Sequence, residues 1–176
     1  MVEIRARLPF RAAGEHGVPA TDRLCLPFER RQKSRQRARL ASGEEVAIDL
    51  PRGLLLRGGD WLLASDGRAI EVVAETERLL HIECASDRDA ARVAYHLGNR
   101  HVAVQVGEGW LRLPHDAVIE RMVQGLGART SVVDAPFEPE AGAYAAHHRH
   151  DNASGHGGRI HEFGDALAAL AAREPR

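Results

Sequence analysis

The sequence predicts an α+β protein: a small all-β domain, then a domain in which strands and helices alternate, then a polar tail. Three observations predict it. Up to about residue 77, short apolar stretches with period-two alternation are separated by glycine turns. From residue 78, two stretches with helical periodicity are interleaved with strand-like ones, and after Tyr144 apolar residues become scarce. The expected divisions are therefore 1–77, 78–144 and 145–176.

Val46, Ile48 and Leu50 alternate with Glu45, Ala47 and Asp49, the pattern of a half-buried strand. Arg57-Gly58-Gly59-Asp60 makes a turn before Trp61-Leu62-Leu63, and Ser65-Asp66-Gly67 makes another before Ile70 to Ala74. Leu79 to Cys84 reads as a short apolar strand. Ser86 with Asp89 three residues later forms a capping box that opens a helix. Val93, Ala94 and Leu97 supply its buried stripe, and Gly98 its expected C-terminal stop in the left-handed conformation. Val102, Val104 and Val106 alternate as a strand, Gly107-Glu108-Gly109 turns, and Trp110, Leu111 and Leu113 form the partner. Val118, Ile119, Met122, Val123 and Leu126 then fall on one face of a second helix ended by Gly127, before a last strand from Arg129 to Asp134. The order is β-α-β-β-α-β, the ferredoxin-like arrangement. Beyond it, residues 145–162 have the composition of a mobile segment, and Phe163 to Arg173 has the pattern of one or two amphipathic helical turns, too short to be more than marginal as an isolated helix.

Composition narrows the function. An apolar share of 44% with 28% charged residues belongs to a globular chain. No apolar run approaches the roughly 20 residues that cross a bilayer, and MVEIRARLPF lacks the continuous apolar segment of a secretory signal. A cytoplasmic protein without membrane contact is expected. Cys25 and Cys84 have neither disulfide-framework nor zinc-site spacing. The sequence has no His-Glu-x-x-His motif, no phosphate loop with Lys-Ser/Thr and no G-x-S-x-G elbow, so it predicts no enzyme.

Histidine carries the chemical signal. Of ten histidines, His147, His148, His150, His156 and His161 fall close together in the tail, and neutral imidazole is a good ligand for nickel, zinc and copper. The ordinary alternative is a surface tail that happens to be His-rich. A rigid ligand is sought in His96-Leu97-Gly98-Asn99-Arg100-His101, where His101 lies between a glycine-terminated helix and a strand. One imidazole holds a metal weakly, but a two-fold axis would bring it against its own copy and double the ligand set. The alternative for His101 is a structural hydrogen bond; for His96 it is a helix-end cation.

Several spaced stretches then resemble one family. His96-Leu97-Gly98-Asn99-Arg100-His101-Val102, Ile119-Glu120-Arg121-Met122-Val123-Gln124-Gly125-Leu126-Gly127 and Ala135-Pro136-Phe137-Glu138-Pro139-Glu140-Ala141-Gly142-Ala143-Tyr144, together with Leu50-Pro51-Arg52-Gly53 and Leu56-Arg57-Gly58-Gly59-Asp60, are similar to the UreE urease accessory proteins. The resemblance covers nearly the whole chain. It implies a homodimeric nickel metallochaperone with an N-terminal β domain for peptide or partner binding and a ferredoxin-like metal-binding domain. It also implies handover of Ni²⁺ to the urease apoprotein with its accessory GTPase complex. His101 would be the ligand contributed by both subunits, completed by tail histidines, with Zn²⁺ and Cu²⁺ as competing ions. Some members carry two histidines flanking an Asp before the second helix; here the position reads His115-Asp116-Ala117. His115 is thus a weak ligand, or it or Asp116 caps the helix.

One basic stretch remains. Arg31, Lys33, Arg35, Arg37 and Arg39 recur at every second position and would line one face of a strand. That face is a solvated, aggregation-resistant edge, a docking surface for an acidic protein partner, or a phosphate-binding surface. Absence of interleaved aromatics makes nucleic acid the weaker partner. The rivals to metal delivery are passive metal storage by the tail and a partner or nucleic-acid module built on this basic stretch.

Overall fold

The computed structural model describes residues 1–8 and 21–141. The described chain begins with six strands, β1 (Val2–Leu8), β2 (Asp22–Leu26), β3 (Arg35–Arg39), β4 (Glu45–Asp49), β5 (Trp61–Ala64) and β6 (Ala69–Ala74), with one helical turn, α1 (Phe28–Arg31), between β2 and β3. They form one mixed sheet in the order β2-β6-β5-β1-β4-β3, in which β1 runs parallel to β4 and β2 parallel to β6. The two edges approach each other. Ala41 N–H, just after β3, donates to Arg23 C=O of β2 at 2.8 Å, so the curled sheet encloses its apolar face. Inside lie Ile4, Leu24, Val46, Ile48, Leu62, Ile70 and Val72, all essentially inaccessible, with Leu56 from the loop after β4. The Val46-Ile48-Leu50 alternation and both glycine turns fall where the sequence places them.

The second sheet contains β7 (Thr76–Glu83), β8 (Gln105–Gly107), β9 (Trp110–Pro114) and β10 (Arg129–Pro136). Its order is β10-β7-β9-β8, antiparallel throughout. Helix α2 (Asp87–Gly98) joins β7 to β8, and α3 (Ala117–Gly125) joins β9 to β10. The cross-strand pairs Leu80–Leu113 and Ile82–Leu111 turn one sheet face toward Val93 and Leu97 of α2 and Ile119 and Val123 of α3, which close the second core. Burying such side chains is worth about 1.5–3 kcal/mol each. On the opposite face the Arg112 guanidinium stacks 4.3 Å from the Trp110 ring, and its Nε–H donates to His81 Nδ1 at 3.0 Å.

Three local expectations need correction. Ala94 is exposed: the buried face of α2 is the i, i+4 pair Val93 and Leu97 alone, and Ala94 faces away from it. The strand expected from Val102 to Val106 is paired only over Gln105–Gly107, because Val102 and Val104 pack against the second core from an irregular segment. Val118 is also exposed, one position before the buried Ile119.

Candidate functional site

The candidate site is built around the end of α2. Ser86 opens the helix, its hydroxyl accepting the Asp89 N–H at 3.2 Å. The other end tightens over its last turn. Asn99 N–H donates to Tyr95 C=O at 3.1 Å, Arg100 N–H to Leu97 C=O at 3.0 Å and His101 N–H to Gly98 C=O at 3.0 Å. The Arg100 guanidinium reaches back to His96 C=O at 3.2 Å and satisfies another carbonyl of the last turn.

Gly98 is not the left-handed residue. His101 is, at φ 54°, the sole non-glycine with positive φ among the described residues. This corrects the expected stop, and its consequence is chemical. A histidine placed where glycine fits freely costs about 1–2 kcal/mol, and such strain is concentrated at functional positions. Leu97, fully buried, anchors the chain before His101, and the partly buried Val102 and Val104 anchor it after. His101 itself is exposed. Its backbone is thus fixed from both sides while its side chain is presented to solvent. His96 is half-buried and lies edge-on to Tyr95, with ring centroids 5.5 Å apart.

His115 lies elsewhere, at the junction of β9 and α3. Its Nε2 sits 3.0 Å from a Glu120 oxygen. Asp116 caps α3: one carboxylate oxygen accepts Val118 N–H at 2.7 Å and Ile119 N–H at 3.0 Å. Those two bonds outweigh burial and the smaller His115 charge effect sits with them, so the carboxyl is held below its ordinary 3.8. Of the two residues offered as the cap, Asp116 fills the role.

The basic stretch divides. Arg35, Arg37 and Arg39 do alternate as exposed residues on β3, an edge strand. Arg35 pairs across the ladder with Asp49 at 2.7 Å and Arg39 with Glu45 at 2.8 Å, while Arg37 stands opposite Ala47. Arg30 donates to Gln36 Oε1 at 2.9 Å and to Arg37 C=O, covering part of the open edge. Lys33 is exposed and pairs with Glu29 at 2.8 Å.

Arg31 does not belong to that surface. It is fully buried, because Pro27 and Glu29 open a helical turn that takes residues 28–31 out of the strand register. Its Nη1 donates to Glu138 Oε1 at 2.8 Å and to Leu56 C=O at 3.1 Å, and its Nη2 to Phe137 C=O. The period-two count gave no sign of this, since Glu138 lies 107 positions away.

Among the described residues no three His, Cys, Asp or Glu side chains are grouped so as to hold a metal. His101 and His115 are therefore not parts of one such group. His147, His148, His150, His156 and His161 lie outside the described residues.

Comparison with known proteins then decides the family. The N-terminal-domain model of the UreE urease accessory proteins matches residues 4–75, and the C-terminal-domain model matches residues 77–164. The chain belongs to the UreE family. Urease accessory protein UreE of Nitrosospira multiformis is 51% identical over 136 residues, covering 76% of this chain and 77% of its own. UreE of Azotobacter vinelandii is 50% identical over 150 residues, with 80% and 88% covered. UreE of Ectopseudomonas mendocina is 47% identical over 169 residues, with 93% and 98% covered. UreE proteins are accessory proteins and not enzymes. No helix among the described residues is long and apolar enough to cross a membrane.

Proposed function

We propose that the protein is a nickel metallochaperone that delivers Ni²⁺ to the urease apoprotein during assembly of its metal centre. The observation that supports this reading best is the exposed His101, held in a strained left-handed turn between the buried Leu97 and the partly buried Val102 and Val104. The left-handed turn ends α2 and at the same time presents the imidazole to solvent, where a ligand role can use it. A homodimer places two copies of His101 about one axis and makes a shared seat for one ion. His147, His148, His150, His156 and His161 complete a coordination shell that can open for release, and His115 is a peripheral ligand competing with its own Glu120 contact.

In this reading nickel is cargo. Zn²⁺ and Cu²⁺ enter the same imidazole set, copper with the highest intrinsic affinity. The divisions 1–77, 78–144 and 145–176 serve as partner-binding domain, ferredoxin-like metal-binding domain and ligand-bearing tail. The 4-1-3-2 order of an antiparallel sheet with helices after its first and third strands supports the middle assignment. Arg35, Arg37, Arg39 and Lys33 offer a partner-facing edge, with Arg37 the cation left without an opposing carboxylate across the ladder. The partners are the urease apoprotein and its accessory GTPase complex, and the site of action is the cytoplasm.

Truncation after Tyr144 tests the carrier reading. Equilibrium dialysis should leave about one nickel per dimer, since the His101 seat survives. Complete loss of binding would mean that the tail alone captures metal, which is storage and not delivery.

A further inference from the structure

We propose that Phe137–Glu140 is a strap through which the first domain sets the conformation of the connection carrying His101, with Glu138 as its positioning residue. The proposal rests on reading His101 as the metal seat and adds a residue remote in sequence that governs it.

One end of the strap is fastened to the first domain. Phe137 is fully buried, its ring edge-on to Phe28 at 5.2 Å. Glu138 Oε1 accepts from Arg31 Nη1 and from Gly58 N–H, each at 2.8 Å. Its Oε2 accepts from Arg57 Nη1 at 3.0 Å, and the same Arg57 nitrogen donates to Pro139 C=O at 2.6 Å. Arg31 and Arg57 have no other carboxylate in an ion pair among the described residues. Arg31 is the more demanding of the two. It is inaccessible to solvent and its Nε already lacks a partner. A buried guanidinium needs its counter-charge, so Glu138 decides whether the strap stays seated.

The other end is fastened to the His101 connection. Glu138 N–H donates to Gln105 Oε1 at 3.2 Å and Glu140 N–H donates to Val104 C=O at 2.8 Å. Among the described residues that second bond is the sole hydrogen bond made by the backbone of Val102, Ala103 and Val104. The irregular segment immediately after the strained His101 is therefore held by a strap whose seat is in the other domain. Loosening the seat removes that bond, and the anchor on the C-terminal side of His101 is left with the packing of Val102 and Val104 alone. A ligand held less rigidly pays more ordering entropy on binding a metal.

The test uses the full chain with nickel alone. Glu138→Gln keeps the shape and removes the charge; Arg57→Ala removes one fastening from a partly exposed position and serves if the first variant does not fold. Two readouts are taken: hydrogen exchange at the Glu140 amide, and nickel affinity by calorimetry. Both variants should exchange faster at Glu140 and bind nickel about tenfold more weakly, a coupling of the size expected between contiguous elements. Ser86→Ala, which weakens α2 at its far end, should leave nickel affinity unaltered and so separates positioning from general loss of stability. Nickel affinity within twofold of wild type in Glu138→Gln, with binding abolished in His101→Gly, would overturn the strap while leaving the seat intact. Unaltered binding in His101→Gly would remove the seat itself, and the strap's role with it.

Discussion

Arg31 and Glu138 meet at 2.8 Å across 107 positions of sequence, joining a fully buried guanidinium in the first domain to the segment that follows β10. Breaking a buried pair by removing one partner costs more than forming it contributes, because the remaining charge loses its counterpart. Glu138 here keeps Arg57 and Gly58, which softens the loss. Arg31→Met is expected to lower stability by about 3 kcal/mol in urea denaturation. A loss below about 0.5 kcal/mol, the range of ordinary surface changes, would show that the pair contributes little.

Glu138 also predicts a pH dependence. Burial pushes its carboxyl up, but the Gly58 N–H, the Arg57 guanidinium and the charge of Arg31 outweigh burial and hold it below the usual 4.5. The folded state therefore gives up this proton at lower pH than the unfolded chain does. Its stabilisation is fully present above 4.5 and disappears as pH falls through the lowered value. Stability measured from neutral pH down to pH 3 should fall more steeply in wild type than in Glu138→Gln, where that proton is absent; parallel curves would contradict the assignment.

Ser86→Ala removes the cap of α2. One N–H of the first turn loses its acceptor, a cost of about 1 kcal/mol. For a chain of this length the melting temperature should drop by about 2–4 °C. An unchanged value would mean that solvent satisfies the Asp89 amide equally well.

Gly107 leaves space for an aromatic ring. A methyl group on its Cα would come within 2.0 Å of the Trp110 indole. Gly107→Ala should push Trp110 off Arg112 and His81, red-shift the tryptophan emission and destabilise the second domain by about 1–3 kcal/mol. An unaltered spectrum would show that the ring has room to spare.

These features were not equally readable. The capping of α2 by Ser86, of α3 by Asp116, and the glycine stop at Gly127, at φ 94°, all follow from contacts within a few residues, which a sequence displays directly. The stop of α2 is harder. Gly98 is the residue that local propensity selects, yet the left-handed position falls three residues later on His101, where anchoring by Val102 and Val104 overrides propensity. The same two valines mimic a strand because alternation records only which side chains are buried, not what the backbone pairs with. Arg31 was hidden for a different reason. Its neighbours Lys33 and Arg35 are exposed, and only the tertiary contact with Glu138 explains its burial. The motif nominates His101 as a candidate ligand; the left-handed turn that presents its side chain and the hydrogen bond from Glu140 to Val104 beside it have no local signal.

Nickel titration of His101→Gly beside wild type, with molecular mass followed at each addition, tests the central claim most directly. Glycine is the right replacement because it accepts φ 54° without strain, whereas alanine would not. If the proposed homodimer and shared seat hold, the variant should be at least as stable as wild type, keep the molecular mass of wild type, and lose the tight site of one nickel per two chains. Wild-type affinity and stoichiometry in His101→Gly would contradict the account.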